Sequence, residues 1–215
     1  MIKEYKHLFP NIPTRTNKIF HDVDVGDAIP VKQYPYRMNP FKKEYLQKEI
    51  EYLLENDFIE PSNSSWSSPC VLVPKPDKTF RMCTDYRKLN AVTKTDSYPM
   101  PRIDDCIDKI GHSKYITKFD LLKGFWQIPL TDRAKECSAF VTPNGLYQYK
   151  VMPFGMKNSP ATFQRLINMI INGLENCDAY IDDVIIYNDT WRSICNHPKI
   201  LQSTQRCTTD NKLCH

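Results

Sequence analysis

The sequence has no C-x-x-C pair; its eight cysteines, Cys70, Cys83, Cys106, Cys137, Cys177, Cys195, Cys207 and Cys214, stand singly along the chain. That spacing excludes a thioredoxin-like redox motif, and Cys195, His197, Cys207, Cys214 and His215 match no zinc pattern. No apolar segment opens the chain, so the cysteines read as reduced thiols of an intracellular protein, cytoplasmic or nuclear, and not as a secreted disulfide framework. Apolar runs fall well short of the roughly 20 residues a membrane span needs, which excludes an apolar spanning helix and a membrane partner. A strong excess of either charge is lacking too, with 29 Lys and Arg against 25 Asp and Glu. A net charge of +4 is compatible with a nucleic-acid partner but does not identify one. What is there is a globular composition: 41% hydrophobic and 12% aromatic residues in 215, enough for one or two domains with a sizeable core.

Within that chain one stretch stands out, Ala179-Tyr180-Ile181-Asp182-Asp183-Val184-Ile185-Ile186-Tyr187, where two β-branched and aromatic runs meet at adjacent carboxylates. The pattern predicts a β-hairpin with acids at its tip. At a separation of ~4 Å and an effective dielectric near ~20, two such anions repel by roughly 4 kcal/mol, which protonation, solvent or a cation must relieve. Oxygen ligands favour a hard ion such as Mg²⁺. A solvated turn containing Asp-Asp is the commoner meaning of the dipeptide alone. A further carboxylate, Asp120, ends the strand-like run Tyr115-Ile116-Thr117-Lys118-Phe119, where an Asx-turn is the bland alternative.

The rest of the chain reads as alternating short elements. Residues 1–38, with Pro10, Pro13, Pro30 and Pro35 and no sustained period, read as an extended arm laid over another surface. Asn39-Pro40 caps a helix carrying Phe41, Tyr45, Leu46, Ile50, Leu53 and Leu54 at helical spacing that ends before Pro61. Cys70 to Val73 and Thr79 to Thr84 read as strands around the Pro74–Lys78 turn. Lys75, Lys78, Arg81, Arg87, Lys88 and Lys94 outnumber Asp77 and Asp85 there, a bias that suits phosphate contacts and equally a solvated hairpin. Pro101 opens a short helix with Ile103, Cys106, Ile107 and Ile110 on one face and Gly111 as its C-cap. Thr142-Pro143-Asn144-Gly145 is a turn between strands at Ser138–Val141 and Leu146–Val151. Ser159-Pro160 starts a helix through Phe163, Leu166, Ile167 and Ile170 that Gly173 ends. The reading gives an α+β chain with sheet and helix layers.

Phe119-Asp120-Leu121 with Gly124-Phe125, the segment Met152-Pro153-Phe154-Gly155-Met156-Lys157-Asn158-Ser159-Pro160-Ala161-Thr162-Phe163-Gln164, and Tyr180-Ile181-Asp182-Asp183 resemble three successive reverse transcriptase motifs, in order. Arg81 through Asn90 resembles the fingers motif, and Gly26-Asp27-Ala28 through Pro35-Tyr36-Arg37 resembles the segment preceding it in Pol polyproteins of gypsy-type LTR retrotransposons. The likeness covers about residues 20 to 190 and ends near Trp191, the pattern of a truncated copy. It implies a right-hand polymerase with fingers and a partial palm, the thumb absent. Fingers would occupy 39–95 and 128–158, palm 96–127 and 159–190, followed by a divergent, poorly ordered tail at 191–215.

What the resemblance implies for chemistry is RNA-directed DNA polymerase activity, a two-metal nucleotidyl transfer to a primer 3′-hydroxyl. Asp120, Asp182 and Asp183 would be the catalytic carboxylates. With the Leu121 carbonyl they would hold two Mg²⁺ ions, or Mn²⁺. Lys75 and Arg81 would bind the triphosphate, Phe125 would exclude a ribose 2′-hydroxyl by clash, and Phe154 and Gly155 would line the nucleotide and template side. Core packing is the alternative for Phe154. The implied partners are an RNA or DNA template with a DNA primer, deoxynucleoside triphosphates, and other Pol domains of a longer polyprotein. An inactive nucleic-acid-binding remnant of a retrotransposon is the alternative function.

Overall fold

The computed structural model describes residues 12–111, 113–121 and 123–190. The expected tail at 191–215 and the start of the arm lie outside these residues. The chain divides into two compact units, one of Phe20–Asp96 and Ile128–Ser159, the other of residues 12–19, Ser97–Gln127 and 160–190. The second half of the expected arm therefore clusters with the first unit, and residues 12–19 with the second. Among the described residues no helix is long and apolar enough to cross a membrane.

In the first unit, helix α1 (Pro40–Glu55) begins where Asn39 Oδ1 accepts the Lys42 N–H at 2.8 Å. It ends at Asn56 because Asp57 turns left-handed, φ 59°, and buries Leu46, Ile50 and Leu53. Strands β1 (Ile59–Pro61), β2 (Ser68–Pro74) and β3 (Phe80–Thr84) follow, then helix α2 (Arg87–Val92). The short helix α3 (Ile103–Ile110) and strand β4 (Tyr115–Asp120) belong to the second unit. The chain returns to the first unit for helix α4 (Asp132–Cys137) and strands β5 (Phe140–Thr142) and β6 (Gly145–Tyr149). Its sheet runs in the order β1-β6-β5-β2-β3, antiparallel except for the parallel β2–β5 pair.

The β5–β6 turn falls where the sequence indicates. Thr142 Oγ1 accepts from both Asn144 N and Gly145 N, so Thr142 pairs with Gly145 across a two-residue Pro143-Asn144 loop. Strand β5 starts and ends later than expected and β6 starts and ends earlier: Ser138 and Ala139 are drawn out of β5 by the C-cap of α4, where Ser138 N bonds to Ala134 O at 2.9 Å. Extended residues 20–38 are stitched onto this unit by backbone bonds from His21 to Pro129 and Thr131 and between Gln33, Val31 and Ser67.

In the second unit, helix α5 (Ser159–Ile171) and strands β7 (Cys177–Tyr180) and β8 (Asp183–Asn188) complete a sheet of order β4-β8-β7, antiparallel throughout. Alternation divides it into two faces. Val184, Ile186, Cys177 and Ala179 are buried with Phe163, Leu166 and Ile167 of α5, at roughly 1.5–3 kcal/mol per large side chain removed from water. The other face carries Lys118, Asp183, Asp178, Tyr180 and Tyr187 together with Ile116 and Ile185, a mixed face that is not buried. Helix α3 starts at Ile103, two residues after Pro101, and ends as expected at Gly111, left-handed at φ 51°, but Ile103 and Ile107 remain 58% and 59% exposed, so its apolar stripe is not core.

Candidate active site

The register of the three-stranded sheet sets the site. Asp120 stands directly opposite Asp183 at the end of the β4–β8 ladder, and Tyr180 opposite Asp183 on the other side. Opposed residues in an antiparallel pair have Cα atoms about 4.5–5.5 Å apart, so residues 63 positions apart in sequence become neighbours. The chain leaving β4 is fixed to the tip as well, because Leu121 N donates to Asp182 O at 3.2 Å. Asp120, Leu121, Asp182 and Asp183 are thus brought together within one unit by backbone bonds.

The tip itself is under local strain. Ile181, first of the two residues between Tyr180 and Asp183, has φ 51°, a conformation glycine usually fills and a β-branched residue adopts at a cost of order 1–3 kcal/mol. It is held by Gln164, completely buried on α5, whose Oε1 accepts the Ile181 N–H at 2.8 Å while its Nε2 donates to Ala179 O at 2.9 Å. One amide side chain therefore clamps the backbone on either side of Tyr180, where β7 enters the turn. Gln164 had been part of a motif without a role; the signal for one was a polar residue between Phe163 and Leu166 on an apolar helix face.

Gly124 and Phe125 lie in a single 3-10 turn, Gly124–Gln127. A Cβ added to Gly124 would lie 2.5 Å from Phe163 Cζ and 3.3 Å from Asp182 Oδ1, so only glycine allows this turn to approach the tip. The Phe125 ring is 6% exposed and packs on Phe163 with centroids 5.2 Å apart. Among the described side chains no group of three or more His, Cys, Asp or Glu converges on one point, so the acid trio rests on the backbone position of Asp120.

Donor chemistry decides whether a divalent ion fits. Asp182 and Asp183, with Asp120 opposite in the ladder, are residues that offer only hard oxygen ligands, the kind Mg²⁺ or Mn²⁺ takes. A cation already sits on the site: Lys118 Nζ lies 2.9 Å from Asp183 Oδ2.

The other expected residues belong to the five-stranded unit. Lys75 is exposed in the β2–β3 turn and Arg81 exposed on β3, opposite Val73. Arg87 and Lys94, two members of the basic cluster, are paired within the protein. Arg87 holds Asp85 by two hydrogen bonds, which with the Tyr36 hydroxyl keep that carboxyl at about 2, and Lys94 pairs with Asp24 at 2.9 Å. Among the described residues Lys75, Lys78, Arg81 and Lys88 form no salt bridge, leaving the cluster's charge at the hairpin and its flank.

Phe154 is 50% exposed, which rules out the core-packing alternative, and Gly155 has φ 93°. Their loop is held by Asn90, which donates to Gly155 O at 2.8 Å and accepts Lys157 N at 2.9 Å. Two further bonds, Lys157 Nζ to Thr93 O and Asn158 Nδ2 to Lys94 O, brace the same segment.

A helix-backed antiparallel sheet that sets paired aspartates at a hairpin tip beside a third at a strand end is the palm architecture of right-hand polymerases. The family model described as reverse transcriptase (RNA-dependent DNA polymerase) matches residues 73–214, and the chain belongs to that family. The match extends beyond the motif region that ends near residue 190. The chain is 38% identical over 182 residues to the retrovirus-related Pol polyprotein from transposon 297 of Drosophila melanogaster, covering 81% of this chain and 17% of that protein. It is 36% identical to polyprotein P3 of Commelina yellow mottle virus, covering 91% of this chain and 11% of the relative. The chain therefore spans less than a fifth of these relatives. Among solved structures, prototype foamy virus protease-reverse transcriptase matches with a TM-score of 0.88 at 28% identity, over 96% of this chain and 28% of that one. The foamy viral enzyme in complex with RNA/DNA hybrid shares the fold at 0.88 and 23% identity.

Proposed function

We propose that the chain carries the nucleotidyl-transfer site of a retrotransposon Pol polyprotein, extending a DNA primer on an RNA or DNA template. The observation that supports this most is the register that sets Asp120 opposite Asp183, with Asp182 beside them at a clamped turn. Asp120, Asp182, Asp183 and the Leu121 carbonyl would hold two Mg²⁺ ions. When bound, such ions lower the pKa of a primer 3′-hydroxyl and neutralise charge on the α-phosphate and departing pyrophosphate.

The chain's own residues do the rest. The carboxylates fix the place where charge is neutralised, and Gln164 and Gly124 keep the turn from relaxing. Lys75 and Arg81 supply positive charge for the incoming triphosphate; a guanidinium fork suits phosphate oxygens. Phe125, immobilised by Phe163, selects deoxynucleotides by steric exclusion. Phe154 and Gly155 line the nucleotide and template side on a loop that Asn90 holds in place. Nucleic acid is gripped mainly through phosphates, so binding weakens steeply with salt and carries little sequence preference. The natural setting is a longer polyprotein inside the cell.

The test is extension of a DNA primer annealed to an RNA template. Mg²⁺-dependent incorporation that Asp182→Asn abolishes supports the reading. Extension surviving that substitution overturns it, and binding without incorporation at any Mg²⁺ concentration identifies a non-catalytic nucleic-acid-binding domain.

A further inference from the structure

On the polar face of the three-stranded sheet Lys118 occupies the row next to the acids. It is two residues from Asp120 along β4, opposite Ile185 in the ladder, and its Nζ reaches diagonally to Asp183 Oδ2 at 2.9 Å. Strand alternation gives positions 118 and 120 the same face, so this amine comes from the row beside the acid tip. Its side chain is 59% exposed and Asp183's is 42% exposed. An ion pair so exposed is weak and the lysine stem is flexible, so the contact is exchangeable.

A carboxylate oxygen that accepts an ammonium at 2.9 Å offers a divalent ion a reduced charge until the ammonium leaves. The ammonium also repels a second cation brought near the same oxygens. We propose that Lys118 is an internal competitor for the metal site, a positioning residue that neutralises Asp183 before a divalent ion arrives and so sets the concentration at which the ion enters. This rests on the metal-binding reading of Asp182 and Asp183. Ion entry exchanges the Lys118 contact for a metal contact, and the displaced amine turns to solvent. No other lysine or arginine among the described residues is within salt-bridge distance of Asp183.

The test is Mn²⁺ binding to the whole chain, read by the electron paramagnetic resonance of free Mn²⁺, with no nucleotide or primer present. Lys118→Met should bind about fivefold more tightly than the parent, the size expected of one exposed ion pair, and Lys118→Arg should match the parent. In an Asp183→Asn background, Lys118→Met should change nothing. Parent-like or weaker binding by Lys118→Met, with parent binding still lost in Asp183→Asn, overturns the role of Lys118 and leaves the metal site standing. Absence of Asp183-dependent binding in both parent and Lys118→Met removes the metal reading together with the proposal. Thermal melting of each variant confirms that it is folded.

Discussion

In the three-stranded unit the residues of interest are delivered by backbone: ladder register sets Asp120 opposite Asp183, and a buried amide grips the peptide groups flanking Tyr180 at the entrance to the turn. In the five-stranded unit the corresponding loop, Pro153 to Asn158, is held by side chains reaching from the segment around α2, chiefly Asn90, with Lys157 and Asn158 reaching back. Register tolerates no small error, since a one-residue slip would carry Asp183 to the opposite face. Side-chain bracing permits adjustment. The difference matches the tasks proposed for them: a fixed place for charge neutralisation on one unit, and a surface that accommodates different bases on the other.

The largest expected effect comes from breaking the clamp. Gln164→Leu leaves the Ile181 N–H and Ala179 carbonyl without their buried partner and should cost about 2–4 kcal/mol, read as a lowered denaturation midpoint. Primer extension should fall with it even where the variant is fully folded. A variant that keeps parental stability would show that the strained Ile181 is held by something other than Gln164.

Acid sharpens the comparison from the other side. His21 in the five-stranded unit is fully buried, and desolvation lowers its pKa to about 4 although Asp22 and Asp96 act to raise it. The neutral form is the one that fits the fold. Below the ordinary value near 6.5 an unfolded chain takes up a proton that the folded chain refuses, so stability falls as pH drops from about 6.5 to about 4. The loss reaches about 3 kcal/mol and is complete below the folded pKa. Melting curves from pH 7 to 4 should show it, and His21→Gln should flatten the dependence.

Gly124→Ala should follow, at about 1–3 kcal/mol, because the added methyl meets a Phe163 ring that is itself 1% exposed and has nowhere to move. The smallest effect is expected for Asn90→Ala, about 1 kcal/mol in stability, because that side chain is only partly covered. Its signature is kinetic: KM for nucleotide should rise more than kcat falls. Equal losses in the two would mean that the loop is as rigidly required as the acidic tip.

Much of this was legible beforehand where a local signal existed. The Asp182-Asp183 tip sat between two β-branched runs, Asn39-Pro40 announced α1, and Thr142 to Gly145 announced its turn. Helix α4 went unseen because Asp132 to Cys137 has no apolar period; its stability comes from the Thr131 cap, which receives the Ala134 N–H, and from buried Ala134 and Cys137. Strand β1 was hidden for a related reason, since three residues around Pro61 acquire strand geometry only by pairing with β6. At the site, residue types were readable but their support was not. Gln164, Asn90 and Lys118 act through partners 17, 65 and 65 positions away, and sequence spacing carries no trace of those meetings.

The central claim is that β4 and the β7–β8 tip share a bound cation. Fe²⁺ substituted for Mg²⁺, with ascorbate and peroxide, cleaves backbone next to the bound ion and tests this directly by mass spectrometry of the fragments. The account predicts cuts clustered both near Asp120 and near Asp182-Asp183, suppressed together by excess Mg²⁺. Cuts at only one of these two segments, or the same cuts in Asp183→Asn, would contradict it.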